Sequence, residues 1–476
     1  MNMTQDTICA ISTAPGGAIG LIRVSGPDAI SATSSIFHPA KAGKTLEDAK
    51  PYSLTYGQIL DGEEIIDEVL VSLYRAPHSY TGEDSIEIAS HGSSYILQRV
   101  LQLLIHAGCR LAQPGEYTQR AYLNGKMDLS QAEAVADLIA SNSAASHRLA
   151  ISQMRGGFSK ELAALRDQLL HFTSLIELEL DFSDHEDIEF ADRSELFRLA
   201  DHIEEVITRL KDSFRLGNVL KHGVPVAIVG KTNVGKSTLL NRLLHEERAI
   251  VSDIHGTTRD VIEDTIVLGG ITFRFIDTAG LRSTTDAIEQ IGIQRAYQKL
   301  EEAQIVLWMI DTPPTPHELE EMGERCKDKK LIILRNKADK ATDDDYSFIK
   351  SQAALPTHDA QHTLSLQFSN INYQFLELSA KYDPNINALE KLLLHTANIP
   401  EITGTDVIVT NARHYEALTH ALDAIHRVQN GLHDGLSGDF LAQDIRECIY
   451  HLSDIVGEVT ADDVLQNIFK HFCVGK

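Results

Sequence analysis

Positive charge is what this 476-residue chain lacks most: 43 Lys and Arg stand against 68 Asp and Glu, for a net charge of −25 and an isoelectric point near 5.2. Coating a polyanion non-specifically needs clustered cations, so a nucleic-acid role must run through a local patch or a partner. Long apolar runs are missing too. None reaches the roughly 18–20 residues of a membrane span, and the first residues, MNMTQDTICA, lack the basic-then-apolar layout of a signal peptide. Cysteines are few, scattered and odd in number: Cys9, Cys109, Cys326, Cys448 and Cys473. That pattern speaks against a disulfide framework or a zinc knuckle and for a reducing cytoplasm. What is present, 43% hydrophobic residues with a mean hydropathy of −0.14, suits a soluble chain of about three domains.

Residues 1–125 alternate strand-like runs with turn chemistry. The stretch 53–60, an Asp61-Gly62 turn and 68–74 read as a hairpin with a short insert. Residues 81–92 add a strand, and 95–108 are apolar at helical spacing with Gly108 as a stop. The expectation is an α+β domain. Gly16, Gly17 and Gly20 have no following GK[ST] and read as turns. Helical texture begins near residue 126, where Ser130 and Glu133 have capping-box spacing, and runs through 220 apart from an acidic loop at 183–190. It returns over 401–476. Between the halves, 221–400 alternates strands with helices, so the expected architecture is an α/β domain inserted into a helical domain.

The inserted segment carries the chemistry. VPVAIVGKTNVGKSTLLNRLL contains Gly230-x-x-x-x-Gly235-Lys236-Ser237 after an apolar strand and before a helix, the context of a phosphate-binding P-loop. Glycines let backbone N–H groups turn in on phosphates, and the helix N-terminus adds positive potential. Candidate contacts are Asn233, Val234, Gly235, Lys236, Ser237 and Thr238, with Lys236 reaching the β- and γ-phosphates and Ser237 ligating Mg²⁺. Downstream, 271–280 ends in Asp277-Thr278-Ala279-Gly280, where a carboxylate can hold the Mg²⁺ shell. Asn336-Lys337-Ala338-Asp339 resembles the NKxD motif of Ras-like GTPases, whose Asp accepts from guanine. Ser379-Ala380-Lys381 resembles their SAK loop. Four motifs in order imply GTP. Upstream, Ser252, Asp253, Ile254, His255, Gly256, Thr257 and Thr258 occupy the place of a switch loop, with Thr258 the better Mg²⁺ ligand.

Ras orients the attacking water with a Gln after its DxxG glycine. Here that position is Leu281, which cannot. Glu289 is the first choice for orienting water, against the plain reading of a solvent-facing helix residue. Asn233 can offer an amide oxygen to a monovalent cation, or can be simply a turn residue.

Across essentially its full length the chain resembles the bacterial tRNA-modifying GTPases of the TrmE (MnmE) type. The resemblance rests on GLIRVSG, YTGEDSIEI, PGEYTQRAYLNGKMDLSQAEA, GKTNVGKS, SDIHGTTRD, DTAGLR with IEQIGI, NKAD and the terminal FCVGK. It implies a homodimer formed through an N-terminal α+β domain that binds 5-formyl- or 5,10-methylene-tetrahydrofolate. It also implies an FAD-containing partner of the MnmG (GidA) type and a carboxymethylaminomethyl-type group added to C5 of the wobble uridine of certain tRNAs. The implied GTPase is activated by K⁺, with Asn233, Ser252, Ile254 and Thr257 as ligands, when two Ras-like G domains face each other. Magnesium falls to Ser237 and Thr258, and water orientation to Glu289. Folate contacts map to Arg23, Glu87, Lys126 and Lys476. The three cations suit the glutamate tail's carboxylates, and Glu87 suits pterin N–H donors. Cys473 reads either as a nucleophile or redox thiol or as a small apolar residue packed after IFKHF. A competing class is a G-protein switch, for instance in ribosome assembly, without chemistry of its own. Such relatives usually carry a basic appendage, which the acidic excess here does not supply.

Overall fold

The computed structural model describes residues 6–181, 193–231, 233–247, 264–276, 300–339, 364–368, 371–382, 386–400, 406–470 and 472–475. Two compact units emerge. The first comprises 1–140, 150–211 and 412–476, and the second 141–149 and 212–411.

The first unit opens with a seven-stranded sheet. Its strands are β1 (Ile8–Ile11), β2 (Ile19–Ser25), β3 (Phe37–Pro39), β4 (Ser53–Asp61), β5 (Glu64–Tyr74), β6 (Ser85–His91) and β7 (Arg110–Leu111), in the order β3-β4-β5-β6-β2-β1-β7. Alternation sets its faces. In β6, Ile86 and Ile88 point into a core shared with α1 (Ala29–Ser34) and α2 (Ser94–His106), while Glu87 and Ala89 take the other face. The expected hairpin forms without an insert, because β5 starts at Glu64 and a register shift at Ile59/Leu60 absorbs the extra residue. Gly16 is a turn residue at φ +94°, but Gly20 lies inside β2, where a Cβ would come 2.6 Å from Leu97. Close approach of α2, rather than a turn, requires that glycine.

Helices follow: α3 (Glu116–Leu123), α4 (Leu129–Ala140), α5 (Ala144–Met154), α6 (Gly157–Asp181) and α7 (Arg193–His222), then α8 (Lys236–Glu247), α9 (Pro316–Arg325) and α10 (Ile386–Ala397) in the second unit. The unit boundaries fall within α5 and α7. The capping box of α4 is displaced two residues from its expected place. Asp128 accepts from Gln131 N at 2.9 Å and Gln131 Oε1 accepts from Asp128 N at 2.9 Å. Glu133 is thereby free for another task. It is buried and paired with Arg413 (3.1 Å) and His414 (2.6 Å), so that α4 is bound to the start of α11 (Ala412–Asp434). α12 (Gly438–Val456) packs on α11, α6 and α4. α13 (Asp462–Lys470) sets Leu465 and Phe469 against Leu129 and Ala132.

The second unit is a doubly wound α/β domain. Its strands are β8 (Val224–Val229), β9 (Asp264–Leu268), β10 (Ile271–Ile276), β11 (Ile305–Ile310), β12 (Lys330–Arg335), β13 (Leu364–Phe368) and β14 (Ile371–Glu377), in the order β13-β14-β12-β11-β8-β10-β9. The five inner strands are parallel, and the two edges pair antiparallel. The central strand β11, IVLWMI, is buried along its whole length: Ile305, Leu307 and Met309 enter one core and Val306, Trp308 and Ile310 the other. Burial on both faces explains its unbroken apolar run. The helices here are α8 (Lys236–Glu247), α9 (Pro316–Arg325) and α10 (Ile386–Ala397). Strand order reverses beside β8, and ligands of open α/β sheets bind at the carboxyl ends of strands next to such a reversal.

Candidate functional site

Three sequence motifs leave the carboxyl ends of parallel strands in one sheet: the P-loop after β8, NKAD after β12 and SAK after β14. The P-loop backbone is shaped for close approach. Gly230 sits at φ +151°, where a Cβ would fall 2.3 Å from Met309 O, and Gly235 sits at φ +107°, where one would fall 2.2 Å from Asn336 Nδ2. Asn233 adopts φ +61°, a left-handed conformation that Asn tolerates and that helps to curl successive N–H groups into an anion nest. Val234 anchors the loop by burying its side chain in the core. α8 begins at Lys236 and presents Ser237 and Thr238 exposed in its first turn. The Lys236 ammonium donates to the Gly230 and Lys231 carbonyls at 2.6 and 2.9 Å, and burial lowers its pKa.

Asn336 ties these loops together. Buried, it donates from Nδ2 to Val234 O at 2.7 Å and accepts at Oδ1 from Ala380 N at 2.8 Å, so one amide joins P-loop, NKAD and SAK. Lys337 stands at φ +60° with its ammonium 2.7 Å from Asp311. Asp339 is exposed at the rim. Ser379 and Ala380 are buried, and Lys381 is exposed over the Tyr382 ring at 4.8 Å. Glycines that admit no Cβ, an inward-curled loop and a helix N-terminus fit a nucleotide's phosphates. Ser252, Asp253, Ile254, His255, Gly256, Thr257, Thr258, Asp277, Thr278, Ala279, Gly280 and Glu289 lie outside the described residues, as does Lys476.

A second constellation lies on the first unit's sheet. Arg23 of β2 and Glu87 of β6 are register partners, and Arg23 Nε and Nη2 donate to Glu87 Oε1 at 3.0 and 2.7 Å. The C-terminal residues dock beside them. Gly475 O accepts from Ser12 Oγ at 3.2 Å and lies 3.5 Å from Arg23 Nη1, and Cys473 O accepts from Gly115 N at 3.3 Å. Of the two readings of Cys473, packing as a small apolar residue does not hold: the residue is exposed, whereas the other four cysteines are buried. Lys126 follows from the neighbouring loop. Its ammonium donates to Pro77 O at 2.9 Å, and its stem runs along Gly82, which is held at φ +80°. Sequence reasoning missed Tyr80 and Tyr117, whose rings each lie 5.6 Å from the Arg23 guanidinium. Both belong to motifs quoted above, but their place beside Arg23 depends on packing across strands.

The α/β unit with its P-loop defines a G domain of the P-loop GTPase class. Residues 129–473 match the family model of the MnmE helical domain, and residues 7–126 match that of the GTP-binding protein TrmE N-terminus. The tRNA modification GTPase MnmE of Bacteroides thetaiotaomicron is 65% identical over 100% of both chains. Its namesake in Parabacteroides distasonis is 60% identical, over 99% of this chain and 100% of that one, and that of Flavobacterium johnsoniae 49% identical over 100% of both. The chain belongs to the MnmE family of tRNA modification GTPases. Its architecture is accordingly an N-terminal α+β domain, a helical domain and an inserted α/β G domain. No helix among the described residues is long and apolar enough to cross a membrane.

Proposed function

We propose that this chain hydrolyses GTP and uses the cycle in tRNA modification, adding a carboxymethylaminomethyl-type group to C5 of a wobble uridine together with an FAD-containing partner of the MnmG type. The observation that carries the GTPase reading is the buried Asn336 amide, which holds the P-loop and SAK loop in one constellation. Backbone N–H groups of 233–238 and the Lys236 ammonium cradle the phosphates, and the Asp339 carboxylate reads the guanine edge. Ser237 and Thr258 would hold Mg²⁺, which would neutralise charge developing between the β- and γ-phosphates. Asn233, Ser252, Ile254 and Thr257 would hold K⁺, which would supply the positive charge that an arginine finger gives elsewhere when two G domains of a homodimer face each other. With Leu281 in the usual glutamine position, Glu289 orients the attacking water.

The N-terminal site takes a 5-formyl- or 5,10-methylene-tetrahydrofolate through Arg23, Glu87, Lys126 and Lys476, and exposed Cys473 stands on the docked C-terminal segment beside it. The Arg23–Glu87 pair and its closeness to Gly475 support that reading. Titration calorimetry of the full-length chain with GTP and with 5-formyl-tetrahydrofolate tests both halves. Saturable binding of each is expected, and failure of either removes the corresponding half.

A further inference from the structure

β10 runs directly into Asp277, the carboxylate expected at the Mg²⁺ shell, and its opposite end carries Thr272. That end is a junction. The hairpin from β9 turns through Gly269 and Gly270, at φ +53° and +80°, as a two-residue type I′ turn requires. The Gly270 carbonyl accepts from Ala145 N at 3.2 Å, so the turn satisfies one of the orphan N–H groups in the first turn of α5. Beside it the buried Thr272 hydroxyl donates to Asn142 Oδ1 at 3.0 Å, just ahead of the same helix. α7 ends at this point as well. Gly223, the residue after its last turn, stands at φ +86°, and a Cβ on it would fall 3.0 Å from Thr272 O. α5 and α7 are the described helices through which the unit boundaries pass, and both are seated on Thr272 within the second unit.

The far end of α5 is held within the first unit. Met154 O accepts from Gln131 Nε2 at 3.1 Å, and Gln131 is the residue that caps α4 together with Asp128, two residues beyond Lys126. Gly156, at φ +77°, lets the chain pass close to that amide: a Cβ on it would come 3.0 Å from Gln131 Nε2. Eleven residues of α-helix, about 16 Å, therefore separate a grip on β10 from a grip on the cap of α4. A rigid element bonded at both ends can pass a displacement from one to the other. We propose that β10 and α5 form a transmission line between the nucleotide and the N-terminal site. The nucleotide state at Asp277 shifts β10, Thr272 and Gly270 pass the shift to the first turn of α5, and Gln131 passes it to the start of α4 and the loop that bears Lys126. Nucleotide and folate then change each other's affinity by the same factor. This regulation rests on the folate reading above.

The test is calorimetric titration of 5-formyl-tetrahydrofolate into the full-length chain saturated either with GDP or with a non-hydrolysable GTP analogue. Wild-type affinities are expected to differ by at least about fivefold between the two states. Thr272→Val and Asn142→Ala each remove the hydroxyl–amide bond, and should bring the two affinities within about twofold while nucleotide binding stays as in wild type. Arg148 is exposed in the middle of α5, away from both grips. Arg148→Gly softens the helix there and is expected to abolish the difference, whereas Arg148→Ala keeps the helix and should keep the difference. A purely structural role for α5 would lower the urea-unfolding midpoint without moving this ratio. Equal folate affinities in the two states of the wild-type chain, or a wild-type ratio retained by both Arg148→Gly and Thr272→Val, would overturn the proposal while the folate reading stands. Absence of 5-formyl-tetrahydrofolate binding by the wild-type chain in either state would overturn both.

Discussion

Replacing Asn336 by Ala removes the one side chain that bridges the nucleotide loops. Its two bonds, 2.7 Å to Val234 O and 2.8 Å from Ala380 N, serve backbone groups that have little access to water. Leaving a buried donor or acceptor unpaired costs about 1–3 kcal/mol, so the pair sets a loss of about 2–6 kcal/mol. A domain stable by 5–15 kcal/mol survives most of that range. The variant is therefore expected to fold with a loosened P-loop. If only about 1.4 kcal/mol of the lost order must be restored at binding, GTP affinity falls tenfold. Asn336→Asp keeps the acceptor for Ala380 N–H but turns a carboxylate oxygen toward the Val234 carbonyl, and should lose at least as much. The chain's single tryptophan, Trp308, lines a cleft with Lys231 and Val234, so its fluorescence reports on this unit during urea unfolding. Calorimetry supplies the affinity. An Asn336→Ala variant with wild-type unfolding midpoint and GTP affinity within twofold would refute the reasoning.

Other outcomes follow from single groups. Burial alone would raise the Glu133 carboxyl, but His414 and Arg413 outweigh it and hold it at about 2, below its ordinary 4.5. A depressed carboxylate stabilises above its unfolded pKa, and that contribution is lost as pH falls from 4.5 toward 2. Glu133→Gln should thus cost about 3–5 kcal/mol at neutral pH by stranding its partners. In urea titrations the gap from wild type should narrow as pH falls below 4.5, and a gap constant from pH 7 to 3 would contradict this. Glu289→Ala should keep GTP affinity while turnover drops roughly a hundredfold, and a parallel loss of binding would make Glu289 structural. Turnover should be several-fold faster in K⁺ than in Na⁺ at equal ionic strength, and equal rates would remove the Asn233 cation role.

Local motifs were legible in the sequence because their chemistry is local. The P-loop glycines and NKAD each sit at the end of a strand whose apolar run announces it, SAK follows the more polar β14, and all three leave the carboxyl ends of parallel strands in one sheet. What the sequence did not disclose depends on partners far along the chain. Asn336 belongs to a base-reading motif by spacing, yet its amide bridges Val234 and Ala380. Glu133 has the spacing of a capping residue relative to Ser130, but Asp128 with Gln131 forms the cap, and Glu133 is committed 280 residues away to Arg413. Gly20 resembles a turn glycine until the packing of Leu97 is seen. The Arg23–Glu87 pair follows from antiparallel register between β2 and β6, which no motif encodes.

The most direct test of the central claim, that GTP hydrolysis serves tRNA modification, uses cells lacking their own MnmE-type protein. They would express either the wild-type chain or Lys236→Ala, and their bulk tRNA would be digested and its wobble-uridine nucleosides quantified. Restored modification with the wild-type chain and none with Lys236→Ala, at equal protein levels, is the expected result. Full restoration by the Lys236→Ala variant after its purified form proves unable to hydrolyse GTP would contradict the account.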